Sequence, residues 1–202
     1  MIKNIIFDFG NVIVPWNPRI PFERYFGDKQ KAAWFIENIC PIEWHSQVDK
    51  GMSFKEVIAQ GVAKHPEWEK EINLYFDFWE EMFGPQTEGI YEFMQELKTE
   101  GFHLFGLTNW SYELFPRTVD MYPAFSLLED YVISGKERIL KPDREIYLRL
   151  LNRFGLKAEE CIFLDDVQAN VDGANAVGIH GIRFENVSQA RSAVKDCIEK
   201  ES

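Results

Sequence analysis

Four short stretches hold residue types that could do chemistry together. "FDFGNV" sets Asp8 and then Gly10 after an apolar run, "GLTNW" carries Thr108 and Asn109, "ILKPD" carries Lys141, and "FLDDVQAN" carries Asp165, Asp166 and Asn170. Each alone has a plain structural explanation. A strand-end Asp or Thr-Asn caps the next helix, Lys-Pro is common just before one, and adjacent aspartates sit in solvated turns. Gathered at one place, they mean something else. Three carboxylates in a small space repel one another unless a cation sits among them. Oxygen ligands without His or Cys favour a hard ion such as Mg²⁺. A lysine with a hydroxyl–amide pair would complete a cradle for an oxyanion, phosphate being the obvious one. One carboxylate would then be free to attack phosphorus.

The elements that must position them follow from patterning. Residues 3–8 and 161–166 read as short apolar strands buried on both faces, as do 102–108, 131–134 and 178–184. Amphipathic helical patterns separate them: "TEGIYEFMQELKTEG", "DREIYLRLLNRFG" and "NVSQARSAVKDCIEK". Strands alternating with helices of this length indicate βαβ units and an α/β fold with a Rossmann-like parallel sheet. Such sheets bind ligands outside the carboxyl ends of their strands, where all four polar stretches fall.

One segment breaks the rhythm. Residues 15–85 lack a convincing buried strand and are rich in Trp, Phe and Tyr. "KQKAAWFIENI", "SFKEVIAQGVAK" and "PEWEKEINLYFDFWEEMF" suit amphipathic helices. Most of these aromatics are expected to pack a small core of their own, with a few lining a pocket at the junction with the sheet. The expected organisation is an α/β core of residues 1–14 and 86–202 with an inserted helical cap over 15–85.

The order Asp, Thr, Lys, acidic pair resembles the motif series of the haloacid dehalogenase-like hydrolases, along the whole chain. "FDFGNVIV" resembles the first motif, "LFGLTN" the second, "GKERILKPDREIY" the third and "CIFLDDVQANVDGANAVGI" the fourth. Response-regulator receivers share the residue types, but there the acidic pair comes first. The resemblance implies Asp8 as nucleophile and Mg²⁺ ligand, with the Gly10 carbonyl and Asp166 completing the metal set. It implies Thr108 and Asn109 as phosphate holders and Lys141 as the bridge between Asp8 and phosphate. Asn170 stands where many members have a second acid, and either holds a metal-bound water or orients Asp166; Asp165 is expected behind these. Gly10 departs from the pattern, since phosphatases of this family mostly carry there an aspartate that protonates the leaving group. The "FDFGNV" variant with "DD…N" is similar to the bacterial sugar-phosphate phosphatases. The implied activity is Mg²⁺-dependent hydrolysis of a small phosphorylated metabolite through an aspartyl phosphate. Two alternatives stand beside it: a metal-independent 2-haloacid dehalogenase and a non-catalytic phosphometabolite-binding protein.

Composition limits the partners. The 202 residues carry a net charge of -11, which disfavours nucleic acid and anionic membranes. No apolar run approaches a membrane span. Cys40, Cys161 and Cys197 are widely spaced with no CxxC pair, which fits reduced thiols. "MIKNIIFDFG" runs into a strand without a leader pattern, so a cytoplasmic location is expected. His45, His65, His103 and His180 have no metal-ligand spacing, and no role is assigned to them.

Overall fold

The computed structural model describes residues 1–200. Five strands, β1 (Asn4–Phe7), β2 (His103–Thr108), β3 (Asp130–Ile133), β4 (Cys161–Asp165) and β5 (His180–Arg183), form one parallel sheet in the order β3-β2-β1-β4-β5. Burial on both faces explains why they read as apolar runs without alternation. Successive residues feed opposite layers. Ile5, Phe7, Leu104, Ile162 and Leu164 belong to one core, and Ile6, Phe105, Leu107, Val132 and Phe163 to the other.

Five helices fall between β1 and the next core helix: α1 (Arg19–Phe26), α2 (Lys29–Asn38), α3 (Ile42–Asp49), α4 (Phe54–Lys64) and α5 (Glu69–Asp77). Then come α6 (Ile90–Thr99), the single turn α7 (Ser134–Glu137), α8 (Arg144–Phe154), α9 (Gln168–Asn175) and α10 (Val187–Lys200). Helices α6 and α10 cover the first layer through Ile90, Phe93, Met94, Leu97, Ala190 and Val194. Helices α8 and α9 cover the second through Ile146, Tyr147, Leu150, Leu151 and Ala174.

Two helices of the long insertion, α1 and α3, were not anticipated, and "PEWEKEINLYFDFWEEMF" divides into α5 flanked by 3₁₀ turns at Pro66–Trp68 and Trp79–Met82. Ser53 starts α4 with a capping box to Glu56, as the Ser-x-x-Glu spacing favours. The insertion leaves and re-enters the core side by side: Trp16 pairs with Phe83, and the Gly84 N–H donates to the Pro15 carbonyl at 3.0 Å. It is also fastened from above. Trp79 Nε1 donates to Thr118 Oγ1 at 2.9 Å, Arg117 grips the Glu80 carboxylate, and Ser134 Oγ donates to the Asp49 carbonyl at 2.5 Å.

That last contact needs two glycines. Gly51, just past α3, has φ +89°, and a Cβ there would meet the Gly135 carbonyl oxygen at 2.6 Å. A Cβ on Gly135 would in turn meet the Tyr112 backbone nitrogen at 2.6 Å. Close backbone approach of this kind is a position only glycine fills. It seats the C-terminal end of α3 against the carboxyl edge of the sheet.

Candidate active site

The chain passes from β1 into Asp8, from β2 into Asn109 and from β4 into Asp166, all at that carboxyl edge. Phe7 is in register with Gly106 on one side and Leu164 on the other. Asp8 therefore emerges beside Asp165, with its N–H on the Leu164 carbonyl at 2.9 Å. Ligand oxygens of Asp8, Asp165 and Asp166 lie within 4.8 Å of one another.

Lys141 neutralises part of this charge. Its ammonium is buried and makes three contacts: Asp8 Oδ1 at 2.7 Å, Asp165 Oδ2 at 2.7 Å and the Leu107 carbonyl at 3.0 Å. Asp8 Oδ1 also accepts the Phe9 N–H at 2.7 Å, which fixes its rotamer. Burial pushes the Lys141 ammonium down, but Asp8 and Asp165 outweigh it, and its pKa ends above the usual lysine value. Burial raises the Asp8 carboxyl to about 7; Lys141 opposes this, while Asp165 and Asp166 add to it. One ammonium among three carboxylates leaves an excess of negative charge, which suits a divalent cation.

The oxygens divide between structure and solvent. Both Asp165 oxygens are occupied: Lys141 and Asn170 donate to Oδ2, and Asn170 and the Val167 N–H donate to Oδ1. Asp165 thus sits behind the front carboxylates, as its neighbour's half-buried position also indicates. Asn170 reaches Asp165 and not Asp166, so the orienting contact expected toward Asp166 goes one residue earlier. Asp166 is held instead by Asn11, whose Nδ2 donates to Oδ2 at 3.2 Å. Asn11 has φ 57°, a conformation asparagine tolerates better than most residues. Its other amide atom accepts the Trp16 N–H at 3.1 Å, linking Asp166 to the first residues of the insertion. Sequence reasoning missed Asn11; the Gly-Asn pair after a strand was the available signal.

Asn109 also turns away from its expected partner. Its Oδ1 accepts the Lys141 N–H at 2.8 Å and its Nδ2 donates to the Lys141 carbonyl at 3.1 Å. The side-chain amide holds the Lys141 loop. Thr108 is buried at the end of β2 and lines the cavity described next.

Above the cluster lies a cavity of about 380 Å³. Its floor is Asp8, Gly10, Thr108, Asn109, Lys141 and Asp166, and its upper wall includes Trp16, Ile42, Trp79, Phe83 and Trp110. His45 and Asp49 of α3 complete that wall. Three buried polar atoms of the wall have no hydrogen-bond partner among the described residues: Trp16 Nε1, Trp110 Nε1 and Asp49 Oδ1. His45 stacks on Trp79, its Nδ1 is 3.1 Å from the Tyr75 hydroxyl, and its Nε2 is 3.6 Å from Asp49 Oδ2. Burial pushes His45 down to about 4 and Asp49 up to about 7. Sequence reasoning assigned neither residue a role.

The parallel sheet and the carboxylate–lysine cluster at its edge define a hydrolase of the haloacid dehalogenase-like type. The family profile of that name, "haloacid dehalogenase-like hydrolase", matches residues 2–178, and the chain belongs to this family. A curated relative, the sesquiterpene phosphatase astK of Aspergillus oryzae, is 27% identical over 90% of this chain and 89% of its own length. A solved structure from Porphyromonas gingivalis, described as a predicted HAD-like family hydrolase, covers 98% of both chains at TM-score 0.74 and 21% identity. A HAD family enzyme from Bacteroides thetaiotaomicron, solved with magnesium and inorganic phosphate, has TM-score 0.72 at 18% identity, covering 93% of this chain and 96% of its own. The two structures share the fold.

Proposed function

We propose that this protein is a Mg²⁺-dependent phosphatase acting on a small phosphate monoester, with Asp8 as nucleophile. The observation that carries this reading is the largely buried cluster of Asp8, Lys141, Asp165 and Asp166 at the floor of a cavity. A dehalogenase displaces halide without a cation and has no use for three gathered carboxylates. The phosphatase name of the Aspergillus relative agrees with the phosphate reading.

Asp8, Asp166 and the Gly10 carbonyl are the groups that would hold the metal, whose charge offsets the carboxylates and polarises a phosphate oxygen when bound. Lys141 holds Asp8 and faces the phosphate, and Thr108 offers a hydroxyl to a phosphate oxygen. Asp8 attacks phosphorus, the P–O bond to the alcohol breaks, and water then hydrolyses the aspartyl phosphate. Residues 15–85 act as the cap over residues 1–14 and 86–202. The cavity volume is at the low end for small-molecule sites. The aromatic residues Trp16, Trp79, Phe83 and Trp110 in the lining fit a ring-bearing alcohol of the size of a sugar. Reduced thiols, of which Cys40 and Cys161 are free and buried, agree with a cytoplasmic setting. Among the described residues no helix is long and apolar enough to cross a membrane.

The test is turnover of p-nitrophenyl phosphate and of chloroacetate, each with Mg²⁺ and with EDTA. Phosphate release that needs Mg²⁺ and disappears in Asp8→Asn supports the proposal. Halide release insensitive to EDTA would replace it with the dehalogenase reading, and neither activity would leave the binding-protein reading.

A further inference from the structure

Gly10 leaves the site without a side chain to protonate the leaving oxygen, and the cavity wall holds a buried carboxyl with one oxygen unpaired among the described residues. We infer that Asp49 of α3 is the proton donor, and later the proton acceptor, of this reaction. The inference rests on the phosphatase reading and goes one step further into its mechanism.

Three observations carry it. Asp49 is 7% exposed and lines the same cavity as Asp8, Gly10 and Lys141. Its Oδ1 has no hydrogen-bond partner among the described residues, so a buried carboxyl oxygen is left unpaired in a residue that lines the cavity. Its backbone is fixed to the core by Ser134 and by the Gly51–Gly135 approach, so the carboxyl is held in place and not carried on a loose loop.

The surroundings favour its protonated form. His45 from the same helix faces Oδ2, and Tyr75 from α5 faces His45 in turn. His45 is itself kept uncharged by burial, so it offers no cation to stabilise the carboxylate. The Ser111 backbone N–H and the distant Lys141 charge favour ionisation, but burial outweighs both and holds the carboxyl near neutrality of pH. A donor poised near the working pH is the efficient kind. His45 Nε2 lies 3.6 Å from Asp49 Oδ2, so the unpaired Oδ1 is the oxygen left to carry the Asp49 proton.

The step balances as follows. Asp8 forms its bond to phosphorus while the P–O bond to the alcohol breaks. The bond pair goes to the alcohol oxygen, which takes the Asp49 proton and leaves as ROH. The Asp49 carboxylate then removes a proton from water as the water oxygen attacks phosphorus. The P–O bond to Asp8 breaks, its electron pair returns to the Asp8 carboxylate, and Asp49 is again protonated.

The test compares two substrates in one preparation, with the full chain and saturating Mg²⁺. p-Nitrophenyl phosphate expels a stable phenolate and needs no acid; benzyl phosphate expels an alkoxide and does. Asp49→Asn should lower kcat/KM on benzyl phosphate by about 10²–10⁴-fold and on p-nitrophenyl phosphate by less than about tenfold. The fall of the benzyl phosphate rate above neutral pH should vanish in the variant. The ratio of the two rates does not depend on the folded fraction, and Asp49→Ser repeats the test with a smaller neutral side chain. Equal losses on both substrates, or no loss on benzyl phosphate, would overturn the role of Asp49 while leaving the phosphatase intact. Wild-type protein inactive on both substrates would instead bring down the phosphatase reading, and this inference with it.

Discussion

Asn109 clasps the backbone of Lys141 from both sides, accepting its N–H at 2.8 Å and donating to its carbonyl at 3.1 Å. One amide thereby ties the loop after β2 to the loop before α8 and sets where the Lys141 side chain starts. Asn109→Ala should remove both bonds, costing about 1–3 kcal/mol of stability. Because Lys141 would lose its anchor, kcat should fall by about tenfold or more. Thermal unfolding and steady-state kinetics check this together. An unchanged Tm with only weaker inhibition by inorganic phosphate would mean that Asn109 touches phosphate and does not position Lys141.

Among the described residues Lys141 is the one cation in contact with two buried carboxylates, so deleting it should cost both catalysis and stability. Lys141→Met leaves Asp8 and Asp165 without their counter-charge, a loss of about 3–5 kcal/mol when one partner of a buried pair is removed. The sign with pH follows from the charges. In the wild type, the raised Lys141 pKa means its contribution is fully present below the unfolded lysine value and is lost only at strongly alkaline pH. In the variant the stranded carboxyls are best tolerated protonated, so its deficit in Tm should be smaller at pH 5 than at pH 8. A deficit independent of pH would argue against an electrostatic origin.

How much of this was legible follows from what each residue does in the chain. Ile5-Ile6-Phe7 and Ile162-Phe163-Leu164 are buried on both faces, so their apolar runs announced a parallel sheet, and its carboxyl edge located Asp8, Lys141, Asp165 and Asp166 together. Helix α3 was hidden for the opposite reason. Its buried face is Trp44, His45, Val48 and Asp49, half of it polar, so hydrophobic periodicity is interrupted by the very residues that line the cavity. Side-chain directions were equally out of reach. Asn109 and Asn170 have the reach to meet several groups, and the tertiary placement of their backbones chooses Lys141 and Asp165 for them.

Position 10 can take back an acid. A Cβ on Gly10 meets nothing within 4 Å, and its φ lies outside the left-handed region that excludes side chains. Gly10→Asp should therefore fold normally. Introduced into Asp49→Asn, it should restore at least part of the lost kcat/KM on benzyl phosphate while changing p-nitrophenyl phosphate little. A double variant that folds, with wild-type Tm, and shows no recovery would mean that an acid at position 10 does not reach the leaving oxygen in this cavity.

Asp49 should also reveal itself in stability, in a direction opposite to most buried polar residues. Its folded pKa of about 7 lies above the ordinary aspartate value, because burial disfavours the carboxylate. Folding is thus unpenalised by this group below the unfolded pKa, where both states are protonated. As pH rises toward 7 the unfolded chain ionises and the folded one resists, so stability drains away across that window and is constant above it. Asn is neutral throughout and nearly the same shape. Asp49→Asn should therefore have a Tm close to wild type at pH 4 and a higher Tm at pH 7.5, by several degrees for a chain of this size. Differential scanning calorimetry at the two pH values measures it directly. A variant less stable than wild type at pH 7.5 would show that the carboxyl is a structural contact, ionised and paired; a more stable and slower enzyme is what a group held for proton transfer predicts.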